Sequence, residues 1–222
     1  MFKSIRREAL ILFLFSSFAI ALSFFRLVAT HHWMYLFLNW NLFLAAVPWL
    51  LTSTLSEETL TNKKWFAAFL VASWAAVFPN APYILTDLFH LRIETHVPVW
   101  YDLILILSFA SAGLAFGYYS LQKIRLVFSR FFRIRIIDAV IAVYLYVCAF
   151  GVYLGRFERW NSWDIITNTS GVFTSVGDRS VHPFHHPRTW AVTILLGTFL
   201  NLLFLLSTSR HEEINASKVK VK

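Results

Sequence analysis

Phe78-Pro79-Asn80-Ala81-Pro82-Tyr83-Ile84-Leu85-Thr86-Asp87-Leu88-Phe89-His90-Leu91 interrupts an otherwise apolar run and then turns polar. Two prolines three residues apart remove two backbone donors and bias Phe78 and Ala81 away from helical torsions. A helix arriving from Trp65 is therefore expected to stop or kink near Phe78. Asn80 is expected to cap a new half-helix entered through Pro82. Tyr83, Asp87 and His90 follow at spacings of four and three, which puts a phenol, a carboxylate and an imidazole on one face of that half-helix.

The surrounding chain has 222 residues, 58% hydrophobic, 18% aromatic and only 14% charged, with a mean hydropathy of +0.59. Too few polar residues remain for a water-soluble domain, so the sequence reads as an integral membrane protein. The formal charge of +8 does not point to nucleic acid, because the basic residues sit in short clusters between apolar runs, where membrane topology accounts for them. The single cysteine, Cys148, lies inside an apolar run. It excludes an intrachain disulfide and a thiolate zinc cluster, and reads as a small buried apolar residue.

Six apolar runs are long enough to count as spans. Ala9 to Val28 continues past the Ala19-Ile20-Ala21 resemblance to a cleavage site and reads as a retained anchor of roughly 20 residues. Trp33 to Leu55 carries Asn39, Asn41 and Pro48. Trp65 to Leu88 contains the Pro79–Pro82 break. Trp100 to Leu121 supplies Ser108, Ser111, Gly113 and Gly117 for close helix approach in lipid. Ile136 to Gly155 and Trp190 to Ser207 complete the set, and 208–222 forms a basic tail. The fold class expected is an all-α integral membrane bundle of about six transmembrane helices, with the third helix broken.

Alternating the spans from the N-terminus places Lys3, Arg6, Arg7, Lys63, Lys64, Lys123, Arg125, Arg130, Arg133, Arg135, Arg210, Lys218, Lys220 and Lys222 on one side, 14 of the 20 basic residues. By the positive-inside rule both termini are cytoplasmic. The Gln122–Arg135 loop is the most strongly retained; it can also rest on anionic lipid, although the plain topogenic role is preferred. The opposite side keeps Arg26, Arg92, Arg156, Arg159, Arg179 and Arg188 with seven of the eight histidines. Trp163 to Val176, in the long connection from Arg156 to Pro187, is expected to form an amphipathic interfacial segment.

Three polar groups are expected at the outer ends of the spans: the break with Asp87 and His90, then Trp100-Tyr101-Asp102, then Gly155-Arg156-Phe157-Glu158-Arg159-Trp160-Asn161-Ser162-Trp163-Asp164. Ionisable groups at membrane depth pair in the bundle interior, so Asp87 or Asp102 is expected to contact Arg156 or Arg159. These segments together resemble the bacterial membrane-protein family catalogued as domain of unknown function 1361. The resemblance covers nearly the whole chain and implies a polytopic membrane protein, with no activity or catalytic residue to carry over; the location expected is the plasma (inner) membrane.

From the residues themselves, Asp87, His90 and Asp102 are candidate acids, bases or ligands. Asp87 and His90 offer two ligands to a divalent metal, less favoured than an ion-pair clasp for want of a complete ligand motif, and no cofactor is assigned. The His182-Pro183-Phe184-His185-His186-Pro187 run is read as a stiff, solvated loop. Arg156 and Arg159 suit a phosphate or carboxylate, with the Trp160 and Trp163 indoles at the headgroup level, and Asn161 and Asp164 are further candidate contacts there; an aromatic belt whose arginines pair internal carboxylates is the equal alternative. Asn41, Asn80, Tyr83 and Tyr101 are the further candidate substrate contacts. The leading expectation is an enzyme or binding protein acting on a lipid or lipid-linked substrate at the extracytoplasmic face. The alternatives are a small transporter or channel built on the break, and a non-catalytic accessory subunit.

Overall fold

The computed structural model describes residues 2–91, 97–160 and 164–220, apart from the side chains of 2–6, 165–166 and 209–220. Arg92, Asn161, Ser162, Trp163 and Lys222, all used above, lie outside the described residues. Among those described, every regular element is a helix and there is no strand. Five helices are long and apolar enough to cross a membrane: Arg7–Thr30, Lys64–His90, Val99–Phe128, Ile134–Phe157 and Pro187–Thr208. A sixth apolar helix, Phe37–Ser53, is shorter at 17 residues. By length and composition this is a multi-pass membrane protein. The chain forms two compact units, Met1–Val127 and Phe128–Lys222.

The first unit opens with α1 (Phe2–Thr30), which ends where His31 turns into the left-handed region at φ 54°. His is among the few side chains that tolerate this conformation. Helix α2 (Phe37–Ser53) follows, then the short α3 (Glu57–Asn62), whose Ser56 cap accepts from Thr59 N at 3.1 Å. Helix α4 (Lys64–Val77), one α-turn α5 (Asn80–Tyr83) and a 3-10 segment (Ile84–His90) lead to α6 (Val99–Phe128). The shared core takes Leu12 and Ala19 from α1, Leu38 and Leu42 from α2, Ile84, and Leu105, Ile106, Phe109 and Ala112 from α6.

The proline segment tightens the helix and opens no gap in it. Phe78, Pro79, Tyr83 and Ile84 all keep right-handed helical torsions. Pro82 brings no N–H to the Phe78 carbonyl, and Ala81 N takes that carbonyl instead, at 2.9 Å. Val77 O, which Ala81 would have satisfied in an α-helix, accepts from Asn80 Nδ2 at 2.9 Å. Asn80 was expected to cap the following half-helix from its N-terminus. It bonds backward, and Pro79 stands at the cap position with no side-chain bond.

Small residues on α6 receive this segment. A Cβ on Gly113 would stand 2.6 Å from Ile84 Cγ2 and 3.4 Å from the Ala81 carbonyl oxygen, and one on Gly117 would stand 2.9 Å from Ala81 Cβ. The two glycines are four residues apart on one face, so the chain after Pro79 lies directly on the α6 backbone. Burial among apolar groups drives little association in lipid, which leaves such close packing and polar pairs to hold the unit. One such pair is buried beside them: Trp74 Nε1 donates to Ser120 Oγ at 3.1 Å, and Ser120 Oγ donates to Gly117 O at 2.7 Å.

The basic loop expected over Gln122–Arg135 is mostly helix, because α6 runs on to Phe128 and α7 (Ile134–Phe157) starts at once after Arg133. In the second unit α7 packs along α10 (Pro187–Lys220), where Gly197 leaves room for the Tyr146 ring. Asn201 Nδ2 reaches Ala142 O at 3.2 Å and Gly197 O at 2.8 Å. Between them lie α8 (Asp164–Thr167), α9 (Thr169–Val181) and a 3-10 turn at Pro183–His185. Helix α9 begins where it does because Asn168 caps it, accepting from Gly171 N at 3.2 Å. Pro187 occupies the first turn of α10, where its missing N–H costs nothing.

Candidate functional site

Asp87 is the most enclosed polar group of the 3-10 segment, at 0% exposure. Its Oδ2 accepts from Asn41 Nδ2 of α2 at 2.8 Å, and its Oδ1 lies 3.8 Å from His90 Nδ1. In a 3-10 helix residues i and i+3 eclipse one another, which is why the carboxylate and the imidazole stand together. The His90 side chain is 39% exposed. A buried acid therefore backs an imidazole that reaches the surface. The His90 ring also meets Phe37 edge-on at 4.9 Å, and the His90 carbonyl accepts from Tyr35 Oη at 3.1 Å.

Asp102, also at 0% exposure, has a different environment. Arg26 Nε donates to its Oδ1 at 2.6 Å and Arg26 Nη2 to its Oδ2 at 3.1 Å. The expectation that Asp102 pairs with Arg156 or Arg159 is corrected here: an arginine on α1 fills that role. Arg26 Cζ lies 4.5 Å over the Tyr35 ring, so Tyr35 touches both the ion pair and the His90 backbone. Arg26 Nη1 is buried and finds no acceptor among the described residues. Tyr101, next in sequence to Asp102, donates from its Oη to Leu22 O at 2.8 Å. The polar groups thus sort into a closed clasp at Asp102 and a carboxylate–imidazole pair at Asp87.

The other expected contacts are distributed more widely. Asn41 belongs to the Asp87 pair, whereas Asn80 serves the Val77 carbonyl. Tyr83 is half-buried on the helical turn before Asp87, and its carbonyl accepts from Thr86 Oγ1 at 2.7 Å. In the second unit Arg156 is half-buried in the last turn of α7, and Arg159 is exposed with φ 59°. Asp164 starts α8 and accepts from Thr167 Oγ1 at 3.4 Å. Asn161 lies outside the described residues. Among the described residues no three of His, Cys, Asp and Glu gather to hold a metal ion, so Asp87 and His90 stand as a pair.

Sequence reasoning gave Arg26 and Arg179 no part in the site. Arg179 on α9 is nearly closed off, its Nη2 lying 2.6 Å from Glu158 Oε1 and its Nη1 donating to Ser175 Oγ at 2.7 Å. His186 Nε2 and Asp178 Oδ2 lie 2.7 Å apart near by in sequence. For Arg26 a signal was present: it is the one charged residue inside the first apolar helical run after Glu8, and an arginine there implies a buried partner. No curated protein and no solved structure matches the chain. A family described as "Protein of unknown function (DUF1361)" matches it over residues 40–203, and the chain belongs to that family.

Proposed function

We propose that Asp87 and His90 form the reacting centre of a membrane-embedded enzyme or binding protein acting on a lipid or lipid-linked substrate at the extracytoplasmic face. The observation that carries this is the contrast in exposure, 0% for Asp87 against 39% for His90, with Nδ1 and Oδ1 at 3.8 Å. An aspartate beside one imidazole nitrogen can orient the ring so that the other nitrogen takes a proton from a hydroxyl or a water. Asn41 holds the far carboxylate oxygen at 2.8 Å and keeps the pair in register. Asp102, neutralised by Arg26, is assigned to the scaffold. Tyr83 and Tyr101 are proposed to line the approach to His90, and Arg156 and Arg159, with Asn161 and Asp164, are proposed separately to bind an anionic group within the second unit.

The topology proposed with it is six spans in the plasma membrane with both termini cytoplasmic. The excess of Lys and Arg on one side supports it. At about 1.5 Å per residue, Phe37–Ser53 covers about 25 Å, near the lower limit for a span. A transporter built on the proline segment draws less support, since the Val77 carbonyl that an interrupted helix would offer to an ion is already taken by Asn80.

The test is the pair Asp87→Asn and His90→Gln in the full chain. Both are expected to reach wild-type abundance and to unfold at the wild-type temperature, while the lipid profile of membranes carrying the protein reverts to that of cells without it. An unchanged lipid profile, or loss of both variants from the membrane, would sink the assignment and leave the pair as a clasp.

A further inference from the structure

We propose that the junction where α7 ends, α9 ends and α10 begins binds the phosphate of a phospholipid headgroup, with Arg179 Nε and Thr189 Oγ1 as donors. Both atoms are buried and find no partner among the described residues. Arg179 is pinned by its other nitrogens, Nη2 at 2.6 Å from Glu158 Oε1 and Nη1 donating to Ser175 O at 3.0 Å and to Ser175 Oγ at 2.7 Å. Thr189 is 1% exposed in the first turn of α10. Trp190 Nε1 donates to Arg179 O at 3.0 Å, which ties that first turn to the last turn of α9. The three elements therefore meet at one junction, where α9 and α10 each carry one unanswered donor.

The chemistry of those donors selects the ligand. A guanidinium N–H can only donate, and a threonine hydroxyl can do so as well. Thr189 N and Trp190 N already reach His186 O at 3.1 and 3.4 Å, so the first turn of this long helix adds the positive end of its dipole. An oxyanion answers all three, whereas a cation finds only the hydroxyl oxygen. A lipid phosphate is favoured over a free one because α7 and α10 are both apolar enough to span, which puts their shared end at the bilayer edge. The connecting segment also exposes Phe173, Val181 and Phe184, the last at 93%, as contacts for acyl chains. Both donors are buried, so entry requires a side chain to move; Arg188, next to Thr189 in sequence, is exposed with its Cζ 4.4 Å over the Phe157 ring.

The experiment uses the purified full-length protein, delipidated in a nonionic detergent. Dihexanoylphosphatidylglycerol, dihexanoylphosphatidylcholine, dihexanoylglycerol and inorganic phosphate are each titrated, with native mass spectrometry for stoichiometry and thermal unfolding for affinity. One phospholipid per chain is expected, with no binding of dihexanoylglycerol. Inorganic phosphate binding as tightly as the lipids would assign the same donors to a free oxyanion. Thr189→Val is expected to match or exceed wild-type stability without ligand, since it removes an unanswered hydroxyl, and to weaken phosphate-group binding at least tenfold. Arg179→Lys, which keeps the charge for Glu158 but lacks Nε, is expected to weaken it similarly. Binding that ignores both substitutions, or no binding by any phosphate-bearing probe, would overturn the site and leave the two atoms to water.

Discussion

Arg26 and Asp102 meet side-on across 76 residues of chain, with two hydrogen bonds and almost no exposure of either side chain. A pair buried in this way holds strongly against the loss of one partner and weakly against the replacement of both. Asp102→Ala is therefore expected to destabilise the first unit by about 3–5 kcal/mol, because it strands a guanidinium. Arg26→Met combined with Asp102→Leu is expected to recover most of that loss. Unfolding of the purified variants in mixed micelles measures both. A double variant as unstable as the single one would contradict the clasp.

Gly113 and Gly151 give opposite expectations for the same substitution. A methyl on Gly113 collides with Ile84, which is wholly buried and cannot give way, so Gly113→Ala is expected to cost about 1–3 kcal/mol. Around Gly151 nothing lies within 4 Å of the added methyl, and Gly151→Ala is expected to gain roughly 0.5–1 kcal/mol from helix propensity. Thermal unfolding of the two variants side by side decides the sign of each.

Asn80 supplies the donor that the Val77 carbonyl lacks. Asn80→Ala should cost on the order of 1 kcal/mol, the net worth of one hydrogen bond. Asn80→Asp should cost more, since an ionised carboxylate cannot donate and faces that carbonyl with like charge. If the two variants unfold in the reverse order, Asn80 acts as a conventional cap.

Asn41 reaches Asp87 from a different helix. Asn41→Leu is expected to remove about 1–3 kcal/mol of stability, the cost of leaving a buried carboxylate oxygen without that donor. Asn41→Leu combined with Asp87→Leu should be closer to wild type, and the double-variant cycle reports the coupling directly.

The helices were legible because each apolar run is long and ends at a polar or proline-containing stretch. The expected spans 9–28 and 100–121 lie inside α1 and α6, and only their ends move, by continuing through polar turns such as Gln122–Phe128. The Asp87–His90 proximity was legible too, since a spacing of three suffices whether the turn is α or 3-10. What stayed hidden depends on contacts distant in sequence. Local spacing cannot say that Asp102 answers to Arg26 on the first helix, or that Asn80 turns back because Ala81 has shifted its bond to Phe78. Arg179 and Thr189 carry no pattern at all; only the junction of three helices makes them neighbours of one another's elements.

The Arg26–Asp102 pair also imposes an order in time. Arg26 leaves the ribosome 76 residues before its counter-ion, a delay of about 4–15 s at ordinary rates of synthesis. During that interval α1 has an arginine near its end and no carboxylate to meet it, so the side chain must snorkel toward headgroups or water. Only when α6 arrives can the guanidinium be drawn inward. The first helix is therefore provisionally seated when made, and its final depth is set by the last helix of its own unit.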